Sequence, residues 1–180
     1  MKLTFIGVEG IPMVEPGDDL VALIDEALAA TGEQLLADDV IVIAQKIISK
    51  AEDRYLDLRT VTPTEEAIRL GEEVDKDPRK VQAILDESNE IVRQRPGVLI
   101  VEQRSGFVQA NAGIDQSNIR LGDGDPDDLC LLLPIDSDAS AQRLHTTIRD
   151  RHNLEVGIII NDSLGRAWRM GTLGLAIGVA

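Results

Sequence analysis

The chain alternates short apolar runs with charged stretches of helical spacing. Leu3 to Val8 predicts a first strand, ended by Glu9-Gly10-Ile11-Pro12, where the proline disfavours helix in the residue before it. Pro16-Gly17-Asp18-Asp19 starts a helix with Asp18 as its N-cap and Leu20, Leu23, Ile24, Ala27 and Leu28 as its apolar stripe. Val40 to Ala44 is an unbroken, mostly β-branched run, the pattern of a strand buried on both faces, and Ile47 and Ile48 extend its apolar character. Thr62-Pro63-Thr64-Glu65-Glu66 opens a second helix with an early proline and acids in its first turn. Asp77-Pro78 opens a third, whose expected buried face runs through Val81, Ile84, Leu85, Ile91 and Val92. Val98 to Glu102 and Gly106 to Gln109 predict a hairpin turned by Gln103-Arg104-Ser105. After an acidic, turn-rich loop over 122–128, Leu129 to Leu133 reads as a strand and Asp138 to His152 as an amphipathic helix. Val156 to Ile160 is an expected buried strand and Gly174 to Val179 a final one. Helices and strands intermix without clean βαβ alternation. The pattern therefore predicts an α+β (mixed α/β) fold, a mixed sheet with flanking helices, as one domain over residues 1–180.

Composition narrows the possibilities. With 180 residues the chain can bury roughly 70% of its unfolded surface, so it needs no covalent staples. Aromatics are 2% of it, which makes the core aliphatic. Eighteen basic against 32 acidic residues leave a net charge of -14. That charge repels a phosphate backbone, and so few aromatics offer no stacking platform, so nucleic acid is excluded as a partner. The single cysteine, Cys130, rules out an internal disulfide and points to a reducing compartment; within Leu129 to Leu133 it reads as a buried strand thiol. No signal peptide begins the chain, and no window approaches the ~20 apolar residues of a membrane span, so the expectation is a soluble, cytoplasmic protein with no membrane partner.

Acidity also suggests carboxylates gathered around a divalent cation, and two segments fit. Asn161-Asp162-Ser163-Leu164-Gly165-Arg166 follows an apolar strand, so Asp162 and Ser163 offer hard oxygen ligands of the kind Mg²⁺ or Mn²⁺ accepts where the chain leaves the core. Asp-Ser also makes helix caps and Asx-turns, and alone the segment stays open between the two. Asn111-Ala112-Gly113-Ile114-Asp115-Gln116-Ser117-Asn118 packs more amide and carboxylate side chains around a glycine than a plain turn needs. Were Asp115 and Asp162 within ~5 Å, they would repel by roughly 3 kcal/mol at an effective dielectric of ~20, and a cation between them resolves that. Lys50 and Arg166 are placed for phosphate, the lysine as a point charge and the arginine as a bidentate fork; Lys46 and Arg169 could equally be ion-pair partners. Gly10-Ile11-Pro12-Met13 is a loop whose backbone amides could approach a ligand. The chain has no P-loop, GxGxxG or zinc-spaced Cys/His set, and His145 and His152, two turns apart on one helix, read as solvated surface.

Together, Glu9-Gly10-Ile11-Pro12, Pro16-Gly17-Asp18-Asp19-Leu20, Gln45-Lys46-Ile47-Ile48-Ser49-Lys50-Ala51-Glu52, the segment 111–118 and the segment 161–166 occur in an order that resembles the coenzyme F-420-0:L-glutamate ligase family. Leu132-Leu133-Pro134 and Ala176-Ile177-Gly178-Val179 fit as well, so the likeness runs from Met1 to Ala180. The resemblance implies a GTP-dependent ligase that joins L-glutamate to the deazaflavin F-420 precursor through a γ-glutamyl linkage, by way of an acyl phosphate. It implies GTP contacts at Gly10, Ile11, Pro12, Met13, Gln45, Lys46, Lys50 and Asn118, and divalent-metal ligands at Asp115, Asp162 and Ser163. Gln45-Lys46 stands where the family has Ser-Thr. A monovalent cation (K⁺) and a homodimer are further implications. Family members continue past the last strand, which leaves two alternatives open: a non-catalytic metal- and nucleotide-binding module completed by a second chain, or an acidic structural domain whose Asp-rich turns are caps. No residue is singled out as a general base.

Overall fold

The computed structural model describes residues 2–117, 119, 126–165 and 171–180. In chain order its elements are α1 (Leu20–Thr31), β1 (Val40–Ala44), α2 (Gln45–Ala51), β2 (Tyr55–Asp57), α3 (Glu65–Val74), α4 (Pro78–Asp86), β3 (Ser88–Arg95) and β4 (Val98–Gln103). There follow β5 (Val108–Ala110), β6 (Leu129–Leu131), α5 (Ser137–His152), β7 (Gly157–Gly165) and β8 (Thr172–Val179). Parallel and antiparallel pairs both occur, as an α+β fold requires. Contacts divide the chain into two compact units, one of residues 1–53, 134–162 and 176–180, the other of 54–133 and 163–175. Among the described residues no helix is long and apolar enough to cross a membrane.

In the first unit, side chains at the helix starts set the boundaries. Asp19, one residue later than the sequence suggests, caps α1 by accepting from Ala22 N at 3.1 Å. Asp18 closes the turn before it, its Oδ2 2.8 Å from Glu15 N. Asp136 caps α5 through Ala139 N at 2.9 Å. β1 runs parallel to β7, from Val40 opposite Gly157 to Ala44 opposite Asn161, in a sheet of order β1-β7-β8. A Cβ on Gly157 would stand 3.3 Å from Val40, so glycine permits this close pairing.

Three expectations fail in this unit. β1 is not buried on both faces: Ile43 is enclosed, but Val42 is 61% exposed. Leu3 to Val8 forms no strand, because no backbone hydrogen bond ties it among the described residues, and Phe5 is 88% exposed. The third concerns the end of β7. It does not stop at Ile160 but continues through Gly165, because sheet pairing overrides the turn preference of Asn-Asp-Ser.

In the second unit, Thr64 caps α3 and Asp77 caps α4, with Pro78 at a first-turn position where its missing N–H costs nothing. α4 ends at Asp86, so Ile91 and Val92 belong to strand β3 and not to the face of that helix. Strands β3, β4 and β5 form an antiparallel meander, confirming the hairpin between the last two, and β2 pairs antiparallel with β6. The core is aliphatic: Leu58, Leu70, Val81, Ile84, Leu99 and Val101 pack together around the buried thiol of Cys130. Each such side chain contributes about 1.5–3 kcal/mol on leaving water.

Candidate functional site

The first unit gathers most of the residues expected at a nucleotide. α2 begins directly after β1, which places Gln45, Lys46, Ser49 and Lys50 within two turns. Gln45 and Ser49 face inward, Gln45 Nε2 donating to Ser49 Oγ at 2.6 Å. Lys46 and Lys50 stand four residues apart on the same side of the helix, a like-charge spacing that weakens a helix unless something else uses it. Lys50 is only 6% exposed. Among the described residues its ammonium meets no carboxylate, and the contact it makes is to Met13 Sδ at 3.0 Å. Burial first, and then the charge of Lys46, hold the Lys50 pKa below the ordinary lysine value.

Met13 ends the Gly10-Ile11-Pro12-Met13 loop, and Val14, buried beneath it, anchors the segment. Gly10 adopts φ 84°, a left-handed conformation, with open space where a side chain would stand. This loop and α2 therefore meet through Met13 and Lys50. Asp162, half-buried on β7, belongs to the same unit.

Asp115 and Ser163 belong to the second unit, Ser163 exposed near the end of β7. Asn118, Arg166 and Arg169 lie outside the described residues. The segment leading to Asp115 has an unusual backbone: Asn111, Ala112 and Gly113 have φ of 54°, 54° and 73° in succession. For the two residues with a Cβ this costs roughly 1–2 kcal/mol apiece. At Gly113 a Cβ would fall 2.7 Å from Gln109 Nε2 and 2.9 Å from Leu133, so only glycine fits. Among the described residues, two buried polar atoms there have no hydrogen-bond partner, Gln109 Nε2 and Asn111 Oδ1.

Asp115 itself is firmly set. Its backbone exchanges two hydrogen bonds with Leu131, at 3.0 and 2.8 Å, and its Oδ1 accepts from Ser117 N at 2.6 Å. Gln116 accepts from Lys80 Nζ and donates to Asp127 O at 3.1 Å, which binds the loop to α4. Arg79 next to it joins Asp77 and Asp128 at 2.6 and 2.9 Å, and both carboxylates raise its pKa. Lys80 was not apparent as a site residue from the sequence; its signal was a cation four residues from Ile84, on the helix's apolar side.

The remaining candidates are occupied elsewhere. His145 is partly buried, not solvated surface, with Nδ1 2.9 Å from Val156 O and Nε2 3.2 Å from Glu155. His152 pairs with Asp25 at 3.0 Å. Cys130 is fully buried, its thiol pushed up to about 11 by desolvation, which suits packing and not nucleophilic attack. Among the described residues no three His, Cys, Asp or Glu side chains converge on a metal position. The oxygen donors at hand, Asp115 and the unpartnered Asn111 Oδ1, still have the hard character that Mg²⁺, Mn²⁺ or K⁺ takes.

Residues 10–180 match the model of the family described as F420-0:Gamma-glutamyl ligase. The chain belongs to that family. Relatives named coenzyme F420:L-glutamate ligase include one from Methanothermobacter thermautotrophicus, 45% identical over all of this chain and 69% of its own length. The relative from Methanopyrus kandleri is 40% identical over 99% of this chain and 68% of itself, and that from Archaeoglobus fulgidus 37% over 100% and 68%. Both the Lys50 helix and the Asp115 loop fall inside the matched residues.

Proposed function

We propose that this ligase-family chain joins L-glutamate to a deazaflavin F420 precursor at the expense of GTP, and that Lys50 receives the phosphates. The observation behind this is that Lys50 is 6% exposed and, among the described residues, its ammonium meets nothing stronger than a thioether. An ammonium taken out of water without an anion is costly, and a phosphate oxygen is the partner it lacks. Gly10, Ile11, Pro12, Met13, Gln45, Lys46 and Asn118 complete the nucleotide contacts in this reading, with Arg166 as a further phosphate contact.

The chemistry runs in two steps. A precursor carboxylate oxygen attacks the γ-phosphorus, the bond to the β-phosphate oxygen breaks, and GDP leaves. The glutamate amine then attacks the acyl carbon of the acyl phosphate; inorganic phosphate departs with the bonding electrons, and the nitrogen loses a proton. Lys50 holds the phosphate charge in place and offsets what develops on it during transfer. Asp115, Asp162 and Ser163 would hold Mg²⁺ or Mn²⁺, which when bound neutralises the triphosphate. Asn111 Oδ1, an acceptor with no donor among the described residues, suits the monovalent cation K⁺.

The same reading includes a cytoplasmic homodimer, supported by apolar surface on the first unit: Phe5, Leu3 and Ile6 of the N-terminal segment and Val40 and Val42 of β1. Incubation with GTP, Mn²⁺, L-glutamate and the precursor should yield a product heavier by one glutamyl residue, together with GDP. GTP and Mn²⁺ binding without product would instead favour a binding module completed by a second chain. Absence of both kinds of binding would leave an acidic structural domain.

A further inference from the structure

Met13 and Lys50 form an unequal pair. Lys50 is 6% exposed, whereas Met13, whose sulfur lies 3.0 Å from the Lys50 ammonium, is 62% exposed. A thioether is a weak acceptor and holds the ammonium loosely, which suits a lysine that must release it for a ligand. Methionine also has a second chemical state: its sulfoxide is polar and carries a strong acceptor oxygen. Cys130, the chain's one thiol, is fully buried, and scarcity of its thiolate protects it from peroxide. Met13 has neither protection.

We propose that Met13 is an oxidation site whose sulfoxide ties up the Lys50 ammonium and so closes the phosphate position. A hydroperoxide delivers one oxygen atom to Sδ. The O–O bond breaks, an S–O bond forms, sulfur loses two electrons, and the peroxide leaves as water or an alcohol. The new oxygen sits on the sulfur that already touches Lys50, accepts from the ammonium, and competes with a phosphate for it. A methionine sulfoxide reductase with a thiol reductant reverses the step. This inference rests on the reading of Lys50 as the phosphate lysine only for its effect on nucleotide, not for the Met13–Lys50 contact.

The test uses the full chain before peroxide, after it, and after reductase treatment. Calorimetry with Mg-GTP should show about tenfold weaker binding after oxidation, recovered by the reductase. M13L, compared with itself before and after peroxide, should show no such change. In parallel, ¹³Cε NMR of lysine follows the titration of Lys50, its signal identified by its loss in Lys50→Met. The stronger acceptor favours the charged form, so the Lys50 midpoint should rise on oxidation. An unmoved midpoint, or an equal loss of GTP affinity in M13L, overturns the proposal. If the untreated chain does not bind GTP, the phosphate reading of Lys50 fails, and the NMR titration still decides whether Met13 sulfoxide captures the ammonium.

Discussion

Lys50 and Lys80 are both drawn out of water, and burial holds the pKa of each below the ordinary lysine range. Their surroundings differ. Lys80 donates a hydrogen bond to the Gln116 carbonyl oxygen and, although Lys76 repels it, has the charges of Asp115 and Asp77 near, so the fold itself compensates it. Among the described residues Lys50 has a thioether and the repulsion of Lys46. A buried cation answered from within is a fastener, here between α4 and the Asp115 loop. One left unanswered is held ready for an anion from outside. The contrast separates residues that shape a site from residues that meet its ligand.

Substitutions at four positions and one comparison across pH would break or sharpen this contrast. The largest effect is expected at Gly113→Ala, beside the fastened loop. A left-handed φ and a close approach to Gln109 and Leu133 together should cost about 3 kcal/mol, read from urea unfolding. Next is Lys50→Met: GTP affinity should fall about 100-fold, roughly 2.7 kcal/mol, with no loss of folding stability. A less stable protein with GTP binding intact would reverse the roles given to the two lysines. Lys80→Met should show the opposite balance, losing about 1.5 kcal/mol of stability because Gln116 Oε1 loses its donor, and Lys80→Arg should restore part of it.

The pH dependence is a smaller effect. Because folding lowers the Lys50 pKa, the unfolded chain binds more protons between the folded value and the ordinary 10.5, so stability rises with pH across that window. The burial penalty is fully present below the folded pKa and gone above 10.5. The stability gap between wild type and Lys50→Met should therefore narrow from pH 7.5 to pH 10. Least affected should be Arg69→Ala, which removes an exposed i,i+4 pair with Glu73 and should change stability by no more than about 0.5 kcal/mol.

Much of the architecture could be read from the pattern alone because it is locally encoded. Asp77-Pro78 starts α4 where a cap followed by proline should, and the β-branched run Val40 to Ala44 is β1 residue for residue. What escaped the pattern depends on distant partners. Leu3 to Val8 has a strand's composition, but a strand needs a neighbour. Asn161-Asp162-Ser163 has a turn's composition, but its place in the β1-β7-β8 sheet keeps it extended. Ile91 and Val92 continue a helical period across Glu87, where the backbone leaves the helix for β3. For the site, Gln45, Lys46, Lys50 and the Gly10–Met13 loop were legible as motifs. The thioether under Lys50 and the tie from Lys80 to Gln116 were not, because both are contacts between residues more than thirty positions apart.

The parallel pairing of β1 with β7 bears on how the chain reaches its native state. Val40 must find Gly157, more than a hundred residues away, before that sheet exists, and closing a loop of this length costs on the order of 4 kcal/mol of chain entropy. The meander β3-β4-β5, by contrast, joins neighbours along the chain and can nucleate early. On a ribosome, residues 54–133 emerge while β1 still waits for its partner. The 54–133 stretch of the second unit is thus placed to fold as an early scaffold, and the helix that carries Lys50 to acquire its finished surroundings late.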